Sequence, residues 1–518
     1  IEHINWGNYD LVVIDESHNF RNGIGTNSRG GEKENRYLRL MNRVIKSGVK
    51  TKVLMLSATP VNNRFYDLRN QLALAYEGDS SKISKKLNIS SDIDTIFRRA
   101  QEVYNGWCKL PEADRTTDTL LANLDFDFFE VLDSVTIARS RKHIQNFYNV
   151  ADIGTFPTRN KPISLLPKLT DLPGAINYSQ VFCRLSELLL TIYTPTQFIH
   201  ESKLQKYLTE EETANFRTGR ERGIQRLMRI NLLKRMESSV HSFKLTVSRI
   251  RDYLSDTSQI IDRFMKEGKG ELNEMRDLSG VSDDFDYDDL NTDFFTVGKK
   301  VKIDLEDMDY ISWKRDIDGD IKILEHLIEQ VDVITPEHDC KLNELLRVIR
   351  NKTAAPINPG NKKILIFTAF ADTAEYIFGH VGKMAEEELG LHTALVTGSV
   401  DGKTTVPKFK ADMNRILACF SPMSKDRALL YPSEKTDIDI LIATDCISEG
   451  QNLQDCDFCV NYDIHWNPVR IIQRFGRVDR IGSKNAVIQL VNFWPDMELD
   501  EYINLKDRVE ARMHIAIM

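Results

Sequence analysis

The chain has 518 residues and a mass of 59.6 kDa, enough for roughly three or four domains that each bury a core. Charged residues make up 28% and hydrophobic residues 41%, which excludes a disordered chain, and a net charge of −8 excludes whole-molecule attraction for nucleic acid. Seven scattered cysteines form no disulfide framework, and without a signal peptide or an apolar run of ~18 residues the expected setting is a reducing cytoplasm with no membrane partner.

The first element is the apolar run Leu11 to Ile14 in "YDLVVIDESHNFRN", fit for a buried parallel strand. Asp15 and Glu16 stand where that strand runs out, followed by Ser17 and His18. Two carboxylates at the mouth of an α/β sheet suggest a magnesium ligand beside a general base. A second strand, "KVLMLSATP" at 52–60, ends in Ser57 and Thr59, whose hydroxyls can bond the carboxylate-bearing loop and report its state. Residues 177 to about 265 then show long helical periodicity with few glycines, as in "GIQRLMRINLLKRMESSVHSFKLTVSRIRDYL". Within them "RTGRERGIQRLMRINLLKR" sets seven basic residues against Glu221, and Arg222, Arg226 and Arg229 share one helical face. Such a stripe suits nucleic-acid phosphates; it equally suits a solvated face or packing against an acidic loop. The acidic loop is "DDFDYDDLNTD" at 283–293, with six Asp in eleven residues.

After the linker "NKTAAPINPGNK" come four more apolar strands, at 362–370, 392–398, 439–445 and 486–493, with helical stretches between most of them. In "QRFGRVDR", Gln473, Arg477 and Arg480 follow i, i+4, i+7 spacing, which predicts one face of a helix. Arginine suits a transferring phosphoryl group because its planar fork stays charged and binds two oxygens at once; an exposed basic helix is the alternative. Two further patterns are rejected. "GSVDGKT" at 398–404 has three residues between its glycines where a phosphate loop needs four. Cys456, Cys459 and His465, with Cys446 upstream, suggest zinc, but strand alternation would put Cys456 and Cys459 on opposite faces, as buried structural cysteines.

Taken in order, these stretches resemble the motifs of superfamily-two helicases and translocases, most closely the bacterial Swi/Snf-type ATPases, a group that includes an RNA-polymerase-associated recycling ATPase. "DESHNFRN" resembles Walker B and "LSATPVNN" motif III; "VTIARSRKHI" is similar to the basic stretch closing the first motor domain, with its paired arginines broken into Arg139 and Arg141. "ILIFTAFADTAEYI" resembles motif IV, "ATDCISEGQNLQ" motif V, and "WNPVRIIQRFGRVDRIGS" motif VI. "NLLKRMESSVHSF" resembles a segment of large bacterial helicases, some of which carry a phospholipase-D-like nuclease domain.

The resemblance implies an α/β fold of two RecA-like parallel-sheet lobes joined through a mostly helical insertion: 1–170 for the first lobe, 171–335 for the insertion with its acidic loop, 336–498 for the second lobe and 499–518 for a C-terminal helix. It implies ATP and Mg²⁺ as cofactors, with Asp15 holding magnesium through water and Glu16 polarising the attacking water. His18 would link the nucleotide site to motif III and Gln473, Gly450 would approach the nucleotide, Thr444 would face the nucleic-acid backbone, and Arg477 and Arg480 would be arginine fingers from the second lobe. The implied activity is ATP-driven translocation on double-stranded DNA, with RNA polymerase raised as a protein partner. The alternatives are a strand-separating RNA or DNA helicase and a non-catalytic nucleic-acid-binding module. The family's Gly-Lys-Ser/Thr loop lies further upstream of Walker B than Leu11 is from Ile1, so the expectation is a fragment that lacks this loop and does not hydrolyse ATP alone.

Overall fold

A computed structural model of the chain describes residues 8–20, 36–47, 51–57, 65–81, 87, 89–108, 110–111, 114–139, 141–149, 153–207, 214–267, 303–398, 402–447, 450–465 and 468–494. Thr59, the acidic loop 283–293 and the C-terminal helix expected at 499–518 lie outside them. The chain forms two units, one chiefly of residues 1–152 and the other chiefly of residues 153–504.

In the first unit, strands β1 (Leu11–Ile14) and β2 (Lys52–Met55) pair in parallel, with Val13 opposite Leu54 and Ile14 opposite Met55. Ile14 is buried with Val12 and Met55 packed beside it, against Tyr37, Met41 and Leu74. Leu11 and Val13 point to the other face and are half exposed, so β1 is covered on one face rather than the two expected. Beyond it, helices α1 (Phe65–Ala75), α2 (Ile93–Trp107), α3 (Thr117–Asn123) and α4 (Phe126–Val135) enclose an aromatic core. Phe65, Phe97 and Phe128 meet edge to face there, which satisfies their ring quadrupoles while burying area.

The second unit is a parallel α/β sheet with helices on both faces. Its strands are β3 (Thr158–Arg159), β4 (Ile163–Leu165), β5 (Ile364–Phe367), β6 (Thr393–Val396), β7 (Lys403–Thr404), β8 (Ile440–Ala443), β9 (Phe458–Asn461) and β10 (Val487–Phe493). The order is β3-β10-β9-β5-β8-β6-β7, with β4 also on β10 and only β7 antiparallel. Alternation sorts the apolar runs into two cores. Ile364, Ile366, Ile440, Ile442 and Val460 pack with α10 (Cys340–Ala354) and α11 (Ala371–Met384), while Leu365, Phe367, Leu441, Ala443 and Cys459 pack with α12 (Met413–Phe420). The continuous hydrophobic runs seen in the sequence are therefore strands buried on both sides.

Two expectations change here. Residues 158–165 supply strands to β10, so this unit begins at Ile153 rather than after 170. Cys456 precedes β9 instead of alternating along it, and it shares one apolar core with Cys459.

Among the described residues the region between is built mainly by α6 (Tyr178–Glu187), α7 (Ala214–Ser238), α8 (Val240–Glu267) and α9 (Tyr310–Asp332), α5 (Arg141–Phe147) belonging to the first unit. The break between α7 and α8 falls at Ser239, whose Oγ accepts from Ser242 N at 3.0 Å and so caps the start of α8. Trp313 of α9 is fully buried and donates through Nε1 to Thr191 O at 3.2 Å. No helix among the described residues is long and apolar enough to cross a membrane.

Candidate nucleotide and nucleic-acid site

At the end of β1 the chain turns sharply. Ser17 N donates to Leu56 O at 2.9 Å and Asn19 N to Glu16 O at 3.0 Å, and Glu16 takes a left-handed φ of +49°. A non-glycine residue in that region carries strain of order 1 kcal/mol or more, held here by the bonds on either side. Asp15 is exposed, and its Oδ1 accepts from Glu16 N at 2.9 Å. His18 is buried, with Nδ1 3.2 Å from Ser57 Oγ and 3.4 Å from Glu16 Oε2. Ser17 Oγ donates to Gln71 Oε1 of α1 at 3.0 Å. The carboxylate turn, the end of the neighbouring strand and α1 are thus one hydrogen-bonded assembly. Gln71 was missed in the sequence, where nothing marks it off from other polar positions of an amphipathic helix.

In the second unit the polar chemistry gathers at the carboxyl ends of β5, β8 and β9. Helix α13 (Pro468–Phe475) ends two residues before Arg477, so Gln473, Arg477 and Arg480 do not share a helical face as their spacing predicted. Gly476 to Val478 form a turn instead, and the two arginines converge by another route: Arg477 Nη1 and Arg480 Nη2 both donate to Gln451 O, at 3.1 and 3.0 Å. Arg477 Nε also donates to the carbonyl of Gln473, at 3.0 Å.

Arg474, which the motif reading passed over, holds this arrangement. It is wholly buried and forks onto Asp445, with Nε to Oδ1 and Nη2 to Oδ2 both 2.6 Å, while Nη1 reaches Asn461 Oδ1 and Asp463 O. Burial alone would raise the Asp445 carboxyl, but the charge and hydrogen bonds of Arg474 outweigh it and hold it below the usual carboxylate range. Asp463 in turn accepts from Ala369 N at 2.8 Å, Thr368 Oγ1 at 2.5 Å and Ser238 Oγ at 2.7 Å. Motifs IV, V and VI and the α7–α8 corner are therefore tied into one buried polar network.

Thr444 lies at the end of β8, largely buried, its N donating to Val396 O at 3.2 Å. Gly450 has φ +69°, a left-handed conformation that favours glycine, with open space where a Cβ would stand. On α7, Arg222 and Arg226 are exposed, whereas Arg229 is half buried and donates to Leu188 O at 2.5 Å. Arg235 of the same basic stretch is buried and paired with Asp372 at 2.9 Å, and Glu221 accepts from Thr196 N at 3.3 Å. Of the basic face, Arg222 and Arg226 are the side chains presented to solvent.

The two remaining patterns take these places in the fold. Lys403 and Thr404 form the edge strand β7, and Lys403 pairs with Glu375 at 3.1 Å. Cys456 and Cys459 are buried, which pushes both thiols up, Cys459 to about 12, and no metal-binding group occurs among the described residues.

A helicase conserved C-terminal domain model matches residues 340–482. The chain is 42% identical over 66 residues to an uncharacterized ATP-dependent helicase, YqhH, of Bacillus subtilis, covering 13% of this chain and 12% of that protein. It is 26% identical over 208 residues to the putative ATP-dependent DNA helicase fml2 of Schizosaccharomyces pombe, covering 38% and 23%. To the RNA polymerase-associated protein RapA of Pectobacterium atrosepticum it is 38% identical over 74 residues, covering 14% and 8%. The aligned stretches thus span less than a quarter of each relative. The matched domain falls on the lobe where the sheet ends, the Arg474–Asp445 lock and the paired arginines come together, and these matches support a superfamily-two helicase and translocase family for that stretch.

Proposed function

We propose that this chain is part of an ATP-driven translocase of the Swi/Snf type acting on double-stranded DNA. The observation that carries the reading is the convergence of Arg477 and Arg480 on one carbonyl, fixed by the buried Arg474–Asp445 pair. Two guanidiniums held together by backbone contacts are poised for the charge that develops on a departing phosphoryl group, without reorganising at the moment of reaction. The Trp-Asn-Pro before motif VI and the RapA-like stretch favour the Swi/Snf branch.

Asp15 and Glu16 lie in the first unit and carry a role of their own in this reading. The Asp15 carboxylate is exposed and gives one oxygen to Glu16 N, so it can take a hydrated Mg²⁺ as a single hard oxygen ligand. Bound there, Mg²⁺ would neutralise phosphate charge. Glu16, half buried with its carboxylate beside His18, is the base that orients water, and His18 passes the state of this turn to Ser57 of motif III. Arg222 and Arg226 offer phosphate contacts, with Thr444 at the end of β8.

The test is ATP hydrolysis by the chain extended upstream of Ile1, alone and with duplex DNA, single-stranded DNA or RNA. Duplex stimulation is expected, with kcat falling by about 10³ or more in Arg477→Ala and by about 10² or more in Glu16→Gln. Stimulation by single strands or RNA only would replace translocation with the strand-separating activity suggested by the helicase names of the relatives. No hydrolysis with any nucleic acid would leave a binding module.

A further inference from the structure

Arg477 and Arg480 are not the only cations at Gln451. The Nζ of Lys425, on the turn after α12, donates to Gln451 Oε1 at 2.5 Å, so three cationic side chains meet on one residue of motif V. The turn that delivers Lys425 is built for it. Asp455, just past motif V, accepts from Met423 N at 2.7 Å and from Ser424 N at 3.1 Å, and also from Ser424 Oγ. Lys425 N donates to Ser421 O at 3.0 Å, and Asp426 adopts a left-handed φ of +47° to close the turn. One carboxylate is thus used to shape the backbone, while the ammonium it positions is hydrogen-bonded to a neutral amide.

Two other carboxylates of this region are engaged by arginines outside the cluster. Asp445 is forked by Arg474, and Asp479 takes Arg159 Nε at 2.6 Å. Burial, then the charges of Arg480 and Arg477, push the Lys425 ammonium below the usual lysine range, so the folded chain holds these charges together against their repulsion. A fold that gathers like charges at the end of a parallel sheet is preorganised for an anion.

We propose that Lys425 is a third phosphate-binding residue of this site, engaging the phosphate oxygens of a nucleoside triphosphate together with Arg477 and Arg480. The inference rests on the nucleotide reading above and deepens it, adding a residue from the segment between motifs IV and V. Lysine fits the role as a compact point charge on a flexible stem, able to leave Gln451 for a phosphate oxygen while the two planar forks keep their geometry.

The experiment compares the same extended protein as in the hydrolysis test, as wild type, Lys425→Gln, Lys425→Arg and Arg477→Ala, for affinity toward a fluorescent ATP analogue, and separately toward duplex DNA. Thermal melting serves as the check on folding. Lys425→Gln is expected to weaken ATP binding roughly tenfold or more, as for the loss of a charged hydrogen bond. Lys425→Arg should recover most of it, and DNA affinity should be unchanged. ATP binding lost in Arg477→Ala but intact in Lys425→Gln would overturn the role of Lys425 and leave the nucleotide reading standing. A loss confined to DNA affinity would assign the three cations to a backbone phosphate and overturn the proposal too. A wild-type chain that binds DNA but no ATP analogue would remove the nucleotide reading itself, and Lys425 with it.

Discussion

At Arg474 a motif residue does structural work that its neighbours do not. Its guanidinium is wholly buried against Asp445, Asn461 and the Asp463 carbonyl, whereas the contacts of Arg477 and Arg480 with Gln451 lie closer to the surface. Removing one partner of a buried pair leaves the other charge uncompensated, at about 3 to 5 kcal/mol. Arg474→Ala should therefore lower stability by about that amount in urea titration, and Arg477→Ala by less, about 1 kcal/mol. Equal destabilisation by the two would contradict this division of labour. The sequence showed arginines at the right spacing and could not show which was wholly enclosed, because burial depends on where β9 and the motif V turn lie in space.

Among the elements, the strands were legible and the ends of helices were not. Alternation and apolar runs marked β5, β6, β8 and β10, since a strand covered on both faces must be hydrophobic throughout. The stop of α13 at Phe475 was hidden, because the periodicity of "QRFGRVDR" continues past it; Gly476 N still bonds Ile472 O, after which the chain turns. A similar long-range device joins the short turn Leu305–Asp307 to residues 203–207. The Asp307 carboxylate accepts from Lys206 Nζ at 2.8 Å and Tyr207 OH at 2.6 Å, with Lys203 at 3.5 Å, and these partners hold it down to about 2. The folded-state value is depressed, so the stabilisation is present above the ordinary carboxylate value of 3.8 and lost as pH falls toward about 2. Between pH 4 and 2 the wild-type chain should lose stability more steeply than Asp307→Asn, by chemical denaturation across that window; parallel profiles would remove Asp307 from the acid response.

Across the whole molecule, the helical region and the second sheet share one unit through buried contacts rather than through a linker. Ser238 and Ser239 of the α7–α8 corner bond Thr373 at 2.8 and 2.9 Å, and Lys341 of α10 donates to Glu237 O at 2.5 Å. Residues 153–494 expressed alone are expected to unfold in one cooperative transition that fluorescence and circular dichroism report alike; two separated transitions would mean that the helices and the sheet are independent. By itself the sequence determined the class of fold and the order of the motifs, because strand burial and phosphate chemistry each demand residue types at short, fixed spacing. Only the tertiary structure decided that 158–165 join β10, that Arg474 is the wholly buried lock on Asp445, that Arg229 packs inward, and that Lys425 stands with the arginines. Each of those depends on partners tens to hundreds of residues away, and no local pattern encodes a contact whose other half is set by the path of the chain.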